Sequence, residues 1–148
     1  MTQPLQAELD SALRTVVDEM SAAAAQLITV LDQEREALAS ADASALNRAG
    51  EAKQLLMRQL EQLDAERVHM RTASLQASQE SQPGWGDVLA SLMACRDKNL
   101  RNGALVSQRL TQVRRALSVL TGNADADHTY GHSGELKAGY RSVPLAEV

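Results

Sequence analysis

Phenylalanine is absent from this 148-residue chain, and Trp85, Tyr130 and Tyr140 are its only aromatic residues. A core must then be assembled from Leu, Val, Met and Ala. That suits helices packed side by side better than a sandwich or barrel, whose strands favour aromatic and β-branched residues. Cysteine is nearly missing as well. A lone Cys95 excludes an internal disulfide and a multi-cysteine zinc site, and it points to a reducing compartment. No run of about 18 uncharged apolar residues is present to span a bilayer. The opening MTQPLQAELD lacks the basic start and apolar stretch of a signal peptide. Positive charge is not in excess either, because the formal net charge is −4. That argues against a nucleic-acid partner held by global charge. These absences describe a single helical domain expected in the cytoplasm, with no nucleic-acid partner and no direct membrane insertion.

What is present is heptad spacing. In the first segment Leu9, Leu13, Val16, Met20, Ala23, Leu27 and Val30 alternate at steps of four and three, with Leu31 and Leu38 alongside. Asp42 is a suitable N-cap for a second helix. There Ala49, Leu56, Leu63 and Met70 recur every seven residues, with Leu46, Ala52, Leu55 and Leu60 widening the face. A link of a few residues makes the first two helices an antiparallel hairpin. SQPGWGD then breaks the chain at Pro83, Gly84 and Gly86, with Asp87 as the next cap and Trp85 as a plug for the end of the bundle.

The third segment keeps the same alternation through Leu89, Leu92, Arg96, Asn99, Gly103, Val106, Leu110, Val113, Leu117 and Leu120. Asn102-Gly103 is a strong turn signal, yet the phase carries across it, so the spacing predicts one helix of about 34 residues, about 50 Å long. On that seam Gly103 is expected to allow close backbone approach, and Asn99 to fix register. A hinge or a partner-docking site is the other reading of the pair. Thr121-Gly122 is a good stop. The expected fold is all-α, an elongated bundle of three long antiparallel helices with coiled-coil-like packing and an irregular C-terminal tail. Its domain would cover residues 1–121, with helices at about 4–39, 43–77 and 87–120, followed by a flexible tail over 122–148.

Charge is shared unevenly. Leu5 to Ala39 holds seven acidic and two basic residues, whereas Asp87 to Thr121 holds two acidic and six basic. Oppositely charged helices can support one another weakly on their solvated faces. Alternatively, Arg109, Arg114 and Arg115 recruit an acidic partner.

Residues that carry chemistry are sparse. His69, in ERVHMRT, has no metal-ligand spacing around it and no following Lys-Gly of the kind common at a phosphotransfer histidine. His128 and His132 flank Tyr130-Gly131, with Asp125 and Asp127 near, a pattern that supports at most a weak adventitious metal site. Cys95 reads as a small apolar filler beside the seam. Glu34 and Glu36 read as solvated surface. No catalytic residue, cofactor or metal site is expected, and the chain reads as an interaction protein. Three helices make a thin bundle, so the row Val106, Leu110, Val113, Leu117 and Leu120 is surplus apolar surface for another helix, unless the chain covers it itself.

The chain resembles the FlgN family of flagellar export chaperones over nearly its whole length. LITVLDQEREALASAD and EAKQLLMRQLEQLDAER match loosely. More specific are NLRNGALVSQRL, with Asn99, Asn102 and Gly103 on an Asn-x-x-Asn-Gly pattern, and TYGHSGEL, with Tyr130, Gly131 and Gly134 on a Tyr-Gly-x-x-Gly pattern. The resemblance implies a cytoplasmic chaperone for hook-associated (hook–filament junction) subunits. It would hold their amphipathic terminal helices, prevent premature self-association and deliver them to the flagellar type III export gate. Client binding would fall to the C-terminal part, in agreement with the surplus row, and Tyr130 would dock on the cytosolic domain of the gate component FlhA. Tyr140 and the ending RSVPLAEV depart from the pattern. The alternative reading is a self-associating coiled-coil adaptor without a client.

Overall fold

The computed structural model describes residues 3–74 and 83–122. Three helices make up nearly all of it: α1 (Gln3–Ser40), α2 (Ala43–Ala73) and α3 (Trp85–Leu120), with no strand among the described residues. The chain forms two compact units, Met1–Gln108 and Arg109–Val148. The division falls inside α3.

The α1–α2 hairpin is made by two residues. Ala41 takes a left-handed conformation (φ 55°), and the Asp42 amide donates to the Ala37 carbonyl at 3.0 Å, closing α1. Asp42 also opens α2, its side chain accepting from the Ala45 amide at 2.9 Å. One residue thus serves two helix ends. α2 stops at Ala73, short of the expected Ala77, because Ser74 is extended and its amide returns to Met70 O. At the far side of the link Gly84 has φ 81°, and α3 begins at Trp85, so Asp87 lies within the first turn instead of capping it. α3 passes through Asn102-Gly103 without a break and closes at Gly122 (φ 73°), with the Thr121 amide bonded to Leu117 O. The turn propensity of the pair is overridden by helical neighbours on both sides.

Within Met1–Gln108 the helices alternate in direction. Gln6 reaches Ser74 and Glu34 reaches Lys53, so α2 runs antiparallel to α1. Cys95 touches Ala24 and Asn102 touches Leu31, so α3 runs parallel to α1. α1 is consequently buried along two seams. Its buried set adds Val17 and Ala24 to the expected stripe, while Val30 is half-buried. Val16, Val17, Met20, Leu27 and Leu31 form one core with Leu56, Leu60 and Leu63 of α2 and Val88 and Cys95 of α3. Burying each large aliphatic side chain is worth about 1.5–3 kcal/mol. Leu55, expected on the α2 face, is 65% exposed.

α3 departs most from expectation. Its buried residues are Val88, Cys95 and Asn102, spaced by seven and shifted one position from the expected seam. Leu89, Arg96, Asn99 and Gly103 are exposed, and Leu92 is half-buried. A methyl group at Gly103 would meet nothing within 4 Å, so no described helix makes the expected close approach there.

Candidate functional site

Three polar side chains sit where the helical phase brings them onto the core. Glu34 follows Leu27 and Leu31 and precedes Leu38; Arg67 follows Leu60 and Leu63; Asn102 follows Val88 and Cys95. Glu34 is therefore buried, against the expectation of a solvated carboxylate, while Glu36 is exposed. Lys53 Nζ donates to Glu34 Oε1 at 2.5 Å, and Asn102 Nδ2 donates to Glu34 Oε2 at 2.8 Å and to Leu31 O at 2.9 Å. Lys53 also reaches Asn99 Oδ1 at 3.3 Å. The carboxylate is satisfied from two helices at once, which makes it a register pin between α1, α2 and α3. The signal that identifies this cluster is a polar residue in phase with the apolar ones.

Farther along α2, Arg67 is buried. Its Nε and Nη2 both donate to Asp64 Oδ1, at 2.9 and 2.7 Å, and its guanidinium lies 3.8 Å from the centroid of the Trp85 ring. Trp85 is half-buried against the core, a packing role stabilised by the cation above its face. Nη1 of Arg67 is buried without a hydrogen-bond partner.

Cys95 is buried, and its thiol donates to the Ala24 carbonyl at 3.6 Å. Burial pushes the thiol pKa up, opposed in part by the charge of Lys98. Burial of this kind disfavours the thiolate, the reactive form of the side chain. Cys95 lies on the seam, not beside it. A groove of about 340 Å³ opens over it, floored by Leu27, Leu31, Leu60 and Leu92 and edged by Met57. His69 is exposed on α2. No cluster of three or more His, Cys, Asp or Glu suited to a metal ion occurs among the described residues. None of the described helices is long and apolar enough to cross a membrane.

The row proposed from sequence for a second helix is exposed throughout. Val106, in the first unit, is 38% exposed; Leu110, Val113, Leu117 and Leu120, in the second, are 50%, 55%, 54% and 81% exposed. Lys98 pairs with Asp32 of α1, one instance of basic α3 meeting acidic α1. Tyr130, Gly131, Gly134, His128, His132 and Tyr140 lie outside the described residues.

Comparison with known proteins gives one consistent answer. The family model described as FlgN protein matches residues 1–138. Two relatives named flagella synthesis protein FlgN, from Salmonella typhimurium and Salmonella typhi, are each 27% identical over 131 residues, covering 87% of this chain and 93% of the relative. No solved structure matches. With the family model spanning all three helices and the Asn99–Gly103 and Tyr130–Gly134 motifs, the chain belongs to the FlgN family.

Proposed function

We propose that this chain acts in flagellar assembly as a cytoplasmic export chaperone for hook-associated subunits. Residues 1–121 hold the client. The row Val106, Leu110, Val113, Leu117 and Leu120 receives its amphipathic terminal helix, and Tyr130 docks on the cytosolic domain of FlhA. The observation that supports this reading is the row itself: five aliphatic residues at four-three spacing, none of them buried among the described residues. A seam of that spacing fits another helix.

The physical economy is simple. A client segment that orders on binding loses conformational entropy, which keeps affinity moderate and release feasible without ATP or a metal. A second contact through Tyr130 raises the effective concentration of the loaded complex at the gate. Tyrosine suits such a contact because it buries area and still offers a hydroxyl.

Leu117→Asp is expected to weaken capture of hook-associated subunits by about tenfold or more while the circular dichroism of the helices is unchanged. Undiminished capture in a titration overturns the site. Tyr130→Ala is expected to keep client capture and lower affinity for the FlhA cytosolic domain; equal gate affinity removes Tyr130 from that role. A constitutive dimer or tetramer in sedimentation, closed over the row, would instead make the chain an adaptor without a client.

A further inference from the structure

From Lys98 to Gly122 the chain carries five basic residues and no acidic one, although its overall charge is −4. The end of α3 concentrates this bias around an apolar row. Within Arg109–Leu120 the exposed Leu110, Val113, Leu117 and Leu120 keep four-three spacing. Arg114 follows Leu110 by four and precedes Leu117 by three, which puts it on one edge of the row. Arg115 neighbours Thr111, Gln112, Ser118 and Val119 instead, so it lies on the back of the helix.

We propose that this row docks a helix of one particular charge pattern: an apolar seam bordered by Asp and Glu, matched to Arg114 at the edge of the row. The proposal rests on the reading of α3 as a client-binding helix and adds the chemistry by which a client is chosen. Positions that flank a heptad seam set partner choice through paired charges. Such pairs steer encounter and penalise like-charged partners more than they add affinity. A basic amphipathic helix also suits an anionic bilayer, but lipid binding favours a broad apolar face with aromatic anchors. This row is narrow, with Arg114 directly at its edge, and no aromatic residue occurs between Trp85 and Tyr130.

The test titrates the full chain with two labelled synthetic helices that share a leucine seam and differ only at its borders, Glu in one and Lys in the other. At about 50 mM salt the Glu-bordered helix is expected to bind about tenfold tighter, and at about 500 mM the preference shrinks to about twofold. Arg114→Glu removes the preference, whereas Arg115→Glu, the same charge change on the back of the helix, retains it. Equal affinity for the two helices, or equal effects of the two substitutions, overturns the proposal. So does binding to phosphatidylglycerol vesicles that Arg114→Glu abolishes while the helix preference is absent. The two readings fail separately. Hook-associated subunits ignored by a chain that still prefers the Glu-bordered helix refute the client assignment alone. Subunits captured by a chain without the preference refute the charge rule alone.

Discussion

α1 and α3 are nearly the same length, 38 and 36 residues, and both carry heptad apolar spacing, but they spend it differently. α1 buries eleven residues, because α2 and α3 each claim a seam on it. α3 buries three, one of them an asparagine, and its more apolar stripe is exposed among the described residues. Spacing in a sequence therefore announces a stripe without saying which molecule covers it. Coverage depends on how many neighbours a helix has, and the central helix of three has two.

The largest test of this contrast is a pair of truncations. Met20→Ala, at 1% exposure in the core of α1, is expected to cost about 3 kcal/mol in urea unfolding. Leu117→Ala is expected to change stability by less than about 0.5 kcal/mol. A comparable loss at Leu117 would mean that its stripe is covered after all, and the contrast would vanish.

An intermediate effect is expected at the pin. Asn102→Ala removes the amide that bonds Glu34 and the Leu31 carbonyl, leaving both buried acceptors short of a donor. A loss of about 2 kcal/mol is expected from the unsatisfied groups. A double-mutant cycle with Glu34→Gln should show coupling, since the two side chains share a bond; additive losses would reduce Asn102 to ordinary packing.

The smallest effect belongs to Cys95, whose burial raises its thiol pKa. The folded chain then holds the thiol proton more tightly than the unfolded chain does. The associated stability is complete at neutral pH and drains away as pH climbs past the ordinary thiol range, about 8.5. Cys95→Ala should flatten that alkaline decline in thermal unfolding curves. An unchanged pH profile would show that α3 does not hold the sulfur against Ala24.

The faces of α1 and α2 were legible because their buried stripes are also their most apolar ones. Asp42 was legible as a cap because a carboxylate before a helix start has one dominant use. On α3 the buried stripe lies one residue away from the more apolar one. Leu89, Val106 and Leu110 outweigh Val88, Cys95 and Asn102 in apolar character, so hydrophobicity pointed to the exposed stripe as the seam. Continuity through Gly103 was readable from phase, while its open surroundings were not. The burial of Glu34 is not legible in the sequence, because a glutamate reads as surface unless its phase with Leu31 and Leu38 is weighed together with a lysine and an asparagine on two other helices. The groove over Cys95 has no sequence signature, since it arises from how α2 and α3 flank α1.

Trp85 is the sole indole of the protein, and it sits under the Arg67 guanidinium where α2 ends and α3 begins. The molecule thus carries an intrinsic optical gauge at one known corner. Its emission colour reports solvent entry there and nowhere else, so a red shift during titration with a partner would mark loosening of that corner, without any attached dye.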